Sequence, residues 1–389
     1  RGNDETFPAE EVAERLAAVL LGVRIQCAQC HKHPFDRWTQ TDYRAFANIF
    51  TQVRHGQSTE LRTGMLDALD ARRQQTSEAK KLRPLPKLTE VYITDRVQDF
   101  EDPADRVSLA PKPLGGMAFS GKGDRRDQLA DWLMSEGKRP FARAFVNRVW
   151  ATYLGQGLVE PVDDFSETNP PTHPDLLDWL TQEFLASGYD IRHLERLVLN
   201  SETYQLSSQS QSQSQSQSEQ TSDSRNYSRR SVQVLPAAVA VDVLHDALGL
   251  PIAWEDDTLS GKRAIEVGAT QVRQELVGRM FELFQRPQRK TPCDCEPTQT
   301  ATVRQSLFLM SDSLVLRGMH HGRLQKLLAS PLRDEDVIEE LFLASLSRFP
   351  TTQEHKASRD YIQHSENRQR GFEGLWWALL NTREFFTIH

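Results

Sequence analysis

The chain has 389 residues, 38% of them hydrophobic and 26% charged, the profile of a globular protein long enough for two or three domains and a substantial core. Its 54 acidic residues against 47 basic give a formal net charge of -7, which speaks against a nucleic-acid partner, because phosphate recognition needs a concentrated basic field. No run of about 18 apolar residues reads as a membrane span, and 4 cysteines do not make a disulfide-rich scaffold.

The first helix is expected over residues 8–21, with Val12, Leu16, Val19 and Leu20 on one face and a stop near Gly22. It delivers Cys27-Ala28-Gln29-Cys30-His31, a C-x-x-C-H pentapeptide. Two thiols three positions apart can form thioethers with the two vinyl groups of one haem, while the adjacent imidazole binds the iron axially. Thr39-Gln40-Thr41-Asp42 then has the form of a capping box, opening a second helix through Tyr43, Phe46 and Phe50 that could wall a macrocycle. Phe35 and Trp38 lie between.

The same spacing permits a zinc half-site, a redox dithiol, a disulfide or inert thiols. The other two cysteines form Cys293-Asp294-Cys295, and four thiolates in two pairs could bind zinc tetrahedrally; they could equally be an independent loop pair. His33 is too near His31 along the chain to reach the opposite face of a haem, so it is read as a loop residue or, under zinc, as a ligand. Sixth-ligand candidates are His55, Met65 and Met117, with His245, Met310, His320 and His321 available only through tertiary folding.

The basic residues Arg72, Arg73, Lys80, Lys81 and Arg83 read as a solvated helical face. Residues 88–97 carry a short β-like alternation, and the prolines and glycines from Pro103 to Gly116 make a loop-rich connector. Helical spacing follows over 127–134, 141–153, 174–186 and 193–204, punctuated by Gly137, Gly155 and Gly188. Thr172-His173-Pro174-Asp175 resembles a capping box with proline in the first turn. A Ser-Gln tract within a linker at 207–222 has no apolar side chains with which to order itself. Helices resume over 236–248, 271–284, 302–316, 335–346, 353–363 and 372–380, with Thr351-Thr352-Gln353-Glu354 as a start and Trp376 and Trp377 on a core face.

Fold class is therefore mainly α: a multi-helical body, a small N-terminal helix–C-x-x-C-H–helix module, and a loop and short-strand connector. The expected domains are 1–100, the module and connector, and 101–389, the helical body interrupted by the linker. Without haem, weak catalytic candidates are Asn147, Arg148, Asp163 and Asp164, flanked by Glu160 and Glu167, because paired carboxylates can divide acid and base work while an arginine orients an anion. The competing reading is an Arg-carboxylate network holding a Gly/Pro-rich loop onto the helix of Trp150. No Walker loop, G-x-S-x-G elbow, H-E-x-x-H or dinucleotide fingerprint occurs.

Residues 21–36, Leu-Gly-Val-Arg-Ile-Gln-Cys-Ala-Gln-Cys-His-Lys-His-Pro-Phe-Asp, closely resemble the N-terminal, cytochrome-associated domain of a large set of planctomycete proteins of unknown function. Asn147-Arg148-Val149-Trp150, residues 155–165, His173-Pro174-Asp175-Leu176-Leu177 and Leu380-Asn381-Thr382-Arg383-Glu384-Phe385 resemble the C-terminal domain usually paired with it. The resemblance covers most of the chain and implies an exported protein, often carrying a separate cytochrome c module, but no established reaction. The resemblance implies that the N-terminal part of the first domain is truncated here, and the start at Arg1 reads as a fragment or processed form. The expectation is thus a periplasmic or otherwise exported haem c protein that transfers electrons or supports a redox reaction, with a redox protein or cytochrome module as partner. The alternative is a non-haem Cys/His metal-binding interaction or hydrolytic protein.

Overall fold

A computed structural model describes residues 5–6, 8–75, 88–94, 97–120, 123–206, 226–254, 256–268, 275–284 and 302–388. Its architecture is mainly α-helical, with short strands and no closed sheet among the described residues. The chain forms two compact units, one holding the described residues up to Leu206 with 226–229, the other those from Arg230 onward. The described residues of 1–100 and of the first third of the expected helical body thus share one unit. The Ser-Gln tract, the Cys293/Cys295 pair and the side chains of the basic cluster from Arg72 to Arg83 lie outside the described residues and side chains.

In the first unit α1 (Ala9–Leu16) runs directly into a π-turn over Ala17–Leu21 and stops at Gly22. The buried stripe is Ala9, Ala13, Ala17 and Leu21. The expected apolar face needs correction: Val12, Leu16 and Leu20 pack only at the edge of this core, and Val19 is 45% exposed. Small alanines, four apart, allow the helix to lie close against α2 (Gln40–Ala47). The start of α2 is the expected capping box: Thr39 Oγ1 accepts the Asp42 N–H at 3.1 Å, and the Asp42 carboxylate accepts the Thr39 N–H.

Tyr43, Phe46 and Phe50 are all buried, with Phe46 and Phe50 edge to face, so they fill the unit's own core and cannot wall a macrocycle as expected. The Tyr43 hydroxyl donates to Glu14 at 2.7 Å, and burial together with that carboxylate holds the phenol far above its ordinary pKa. Strand β1 (Glu5–Thr6) pairs antiparallel with β2 (Val53–Gly56), Glu5 opposite His55, and β2 with β3 (Glu90–Ile93), Arg54 opposite Tyr92; α3 (Thr59–Gln75) joins the last two.

The same unit continues through α4 (Arg125–Met134), α5 (Lys138–Leu154), α6 (Pro174–Ala186), α7 (Ile191–Leu199) and α8 (Glu202–Gln205). Trp150, Leu177, Leu180, Phe184 and Leu194 interlock between α5, α6 and α7. The helix expected over 193–204 is two, because the Ser201 hydroxyl caps α8 by accepting the Tyr204 N–H. The capping box at Thr172 does not form: His173 occupies the N-cap without a side-chain capping bond, its Nδ1 lying 3.1 Å from the Thr172 hydroxyl, which donates to the Leu158 carbonyl.

The second unit is a helical cluster over Ala237–Leu248, Glu275–Leu283, Val303–Ser311, Ser313–His321, Arg323–Leu328, Asp334–Leu346, Thr352–Gln363 and Arg368–Leu380. Leu244, Leu248, Met280, Phe342, Phe372 and Trp376 belong to its core. The expected helix 302–316 breaks at Asp312, which ends one segment and caps the next by accepting the Leu314 N–H. Strands β4 (Gln233–Val234) and β5 (Thr387–Ile388) pair the unit's first and last segments. Thr351 and Glu354 form the expected capping box, and the Arg348 guanidinium, paired with Glu354 and Glu384, holds the Glu354 carboxyl down at about 2.

Candidate functional site

The C-x-x-C-H segment is reached through a clamp built by both halves of the first unit. Gly22 ends the π-turn with φ 68°, a region that favours glycine, and a Cβ there would lie 2.6 Å from the Phe165 ring. Its carbonyl accepts the Phe165 N–H at 2.8 Å. Two residues on, Arg24 donates through Nε to Asp163 at 3.0 Å. The chain then turns through a short 3-10 segment, Gln26–Gln29.

Ala28, fully buried, pegs that turn to the core. Cys27 and Cys30 flank it as free, exposed thiols. Cys27 lies inside the 3-10 segment and Cys30 is its C-cap residue. His31 follows, its N–H meeting the Cys27 carbonyl at 3.5 Å and its Nδ1 lying 2.7 Å from the Lys32 carbonyl. An Nδ1–H donated to a carbonyl fixes the tautomer that leaves Nε2 with a lone pair, the arrangement usual for ligating imidazoles.

The loop beyond closes on itself. The His33 N–H donates to the Trp38 carbonyl at 2.9 Å, and His33 Nδ1 accepts the Phe35 N–H at 3.3 Å, which makes its ring a strut of the loop. Gln40 at the head of α2 donates to the Gln29 carbonyl at 2.8 Å. Phe35 is 63% exposed, while Trp38 is buried.

The sixth-ligand candidates lie elsewhere on the fold. His55 sits in β2 between two strands, Met65 is in α3 with its sulfur accepting from Gln57, and Met117 is exposed in the connector. His245, Met310, His320 and His321 belong to the other unit. No three His, Cys, Asp or Glu side chains among the described residues converge as a metal-binding group, so Cys27, Cys30 and His31 do not meet at one chelating point. Cys293 and Cys295 are not among the described residues.

Asn147, Arg148, Asp163 and Asp164 are brought into one region, as a brace. Asn147, completely buried in α5, donates Nδ2 to the Val159 carbonyl at 2.8 Å and accepts the Val159 N–H at 2.9 Å, a side chain mimicking a β-pair. Arg148 donates to the Ala18 carbonyl at 2.6 Å. Asp163 holds Arg24, Glu160 accepts the Gly157 N–H at 2.9 Å, and Asp164 is tied through its main chain to Pro161 and Asn169. Buried Tyr227 donates to the Gly157 carbonyl at 2.7 Å and stacks edge to face on Trp150; burial raises its phenol to about 12. Nearly every polar group of the loop 155–165 that these residues meet is main chain, so the arrangement positions the approach to Cys27. The Arg24–Asp163 pair was not anticipated: the acid was conspicuous, but its partner is 139 positions away and no local pattern marks it.

The fold and site thus define a mainly α-helical, two-unit protein that presents a braced C-x-x-C-H turn at its surface. The chain belongs to the family PSD1, proteins of unknown function (DUF1553), whose model matches residues 125–362; residues 3–55, which contain the turn, match PSCyt2, also of unknown function (DUF1549). This pairing agrees with the resemblance to planctomycete cytochrome-associated proteins. No curated protein and no solved structure matches the chain.

Proposed function

We propose that Cys27, Cys30 and His31 are the attachment and axial residues of a covalent haem c, and that the first unit is an exported electron-transfer module acting with a redox protein or cytochrome module. The observation that carries the reading is the turn itself: two free, exposed thiols, one inside a 3-10 turn and one at its end, next to an imidazole whose Nδ1 is already engaged by a carbonyl. Thioether attachment would need two accessible sulfurs, one for each vinyl group, and an imidazole nitrogen available to the iron, and does not need the three donors to meet at one ion. Zinc does need convergence, about 2.0–2.3 Å from each donor to a single ion.

When bound, haem would supply a one-electron couple. The protein's own residues would do the rest: Ala28 pins the turn, the Lys32 carbonyl orients His31, and the Gly22–Phe165 and Arg24–Asp163 contacts fix where the turn begins. With Tyr43, Phe46 and Phe50 committed to the core, the residues of the exposed turn, Cys27, Cys30 and His31, would hold the group. Attachment of this type is normally completed outside the cytoplasmic membrane, which supports an exported location. No described helix is long and apolar enough to cross a membrane. The Cys/His metal alternative would need Cys293 and Cys295, or His33, whose Nδ1 is occupied by the Phe35 N–H.

Peptide mass spectrometry tests the proposal. Protein exported from a host competent in cytochrome c maturation should yield a proteolytic peptide containing Cys27 and Cys30 that carries one haem mass; an unmodified peptide from that host would refute it.

A further inference from the structure

The helix leading to the C-x-x-C-H turn ends in an unusual hydrogen-bond register. In an α-helix the Gly22 N–H would bond the Ala18 carbonyl, and in the common glycine-ended stop the Val23 N–H would take it. Here both N–H groups go to the Ala17 carbonyl, Val23 at 3.2 Å, which makes Ala17–Leu21 a π-turn. The Ala18 carbonyl is served from outside its own helix: Arg148 on α5 donates Nη2 to it at 2.6 Å.

A π-turn at the end of an α-helix often marks a functional position, and this one runs straight into the segment that carries Cys27. Returning to α bonding would move the chain beyond it by one helical step, roughly 100° and 1.5 Å. Three contacts oppose that step: Arg148 on the Ala18 carbonyl, the Phe165 N–H on the Gly22 carbonyl at 2.8 Å, and the Arg24–Asp163 pair. Only the first acts on the π-turn itself. Asn147, adjacent on α5, holds the loop that supplies Phe165 and Asp163, so two neighbouring side chains of one helix fix both sides of the clamp.

We infer that this helix end has two registers and that Arg148 selects the π register, which makes it a positioning residue for Cys27 and Cys30. Its guanidinium replaces the donor that the π-turn takes from Ala18. Without it the Ala18 carbonyl is left short of a partner, and the most direct relief is to hand the Gly22 N–H back to Ala18. That exchange turns the chain off its seat on Phe165 and Asp163 and resets both thiols. The inference rests on the turn being the functional centre, but not on haem.

The full chain with unmodified thiols tests this, so a failure of haem attachment leaves the result standing. Wild type is compared with R148M, which keeps the length of the side chain without a donor, and R148K, which keeps a donor. With glycine nitrogen and alanine carbonyl isotope-labelled, the coupling across the Gly22 hydrogen bond should run to Ala17 in wild type and to Ala18 in R148M. Alkylation by iodoacetamide, resolved by peptide mass spectrometry, should show the Cys27-to-Cys30 rate ratio changed at least ~3-fold in R148M, as each thiol meets new surroundings. Exchange at the Phe165 amide should rise at least ~10-fold, the scale of one charge-assisted bond, while the Leu180 amide in the core of the same unit stays within ~2-fold. R148K should restore most of each readout. A wild-type coupling to Ala18, an unchanged thiol ratio in R148M, equal loss of protection at Leu180, or R148K behaving as R148M would each overturn the inference.

Discussion

Replacing Asn147 with alanine removes the side chain that joins α5 to the loop supporting the C-x-x-C-H segment. The Asn147 amide makes two short bonds to the main chain of Val159, at 2.8 and 2.9 Å, and both residues are buried. Truncation leaves the Val159 N–H and carbonyl without partners, at about 1–3 kcal/mol for each orphaned group. A total near 2–4 kcal/mol follows if water reaches one of them partly. Because the chain has two compact units, a single melting temperature would mix transitions. Native-state hydrogen exchange at the Val159 amide reads the effect locally, and at 1.4 kcal/mol per tenfold its protection should fall at least ~25-fold in N147A. Asn147→Asp should do no better, since a carboxylate faces the Val159 carbonyl with no donor. Protection within threefold of the wild type would refute the brace and return Asn147 to the list of candidate chemical residues.

Other outcomes follow from the same contacts. Gly22→Ala should destabilise the first unit by more than ~2 kcal/mol in urea unfolding, since the left-handed backbone alone costs about 1–2 kcal/mol and the new Cβ meets the Phe165 ring; a change below 1 kcal/mol would contradict the clamp. Arg24→Ala, losing a half-exposed ion pair, should shift stability by less than ~1 kcal/mol while raising exchange at the Phe165 amide. In the second unit, burial pushes the His245 imidazole below its ordinary value of 6.5, outweighing the opposite pull of the residue 250 and 251 carbonyls and of Asp242. The unfolded chain therefore takes up this proton first, so stability should be full above pH 6.5 and decline as pH falls from there toward the folded-state value. Unfolding measured from pH 7.5 to 5 should show that decline in the wild type and a flatter profile in H245L; parallel profiles would exclude His245 as its source.

Helices were legible where apolar spacing was long and caps were local. The box at Thr39 and the start at Thr351 appear where the sequence places them, because each is satisfied within four residues. What failed was judging which face of a helix is core. On α1 the larger Val12, Leu16, Val19 and Leu20 look like the stripe, yet the alanines one position away are buried because a close helix contact selects for small side chains. Breaks at Ser201 and Asp312 were hidden for the opposite reason: a single hydroxyl or carboxylate diverts the backbone within an otherwise continuous apolar pattern. At the site, Cys27, Cys30 and His31 announce themselves by spacing, whereas Arg24 and Phe165 depend on contacts more than a hundred residues apart that no motif encodes.

The central claim is that the turn at Cys27–His31 carries covalent haem. Its most direct test is a pyridine haemochrome spectrum, with iron and zinc quantified, on the protein exported with cytochrome c maturation, alongside C27S and H31A. Near-stoichiometric iron, a c-type spectrum that survives acid-acetone extraction, its loss of one thioether in C27S, and an altered iron spin state in H31A are the expected results. A protein from the same preparation that carries zinc without haem, or neither, would contradict the account.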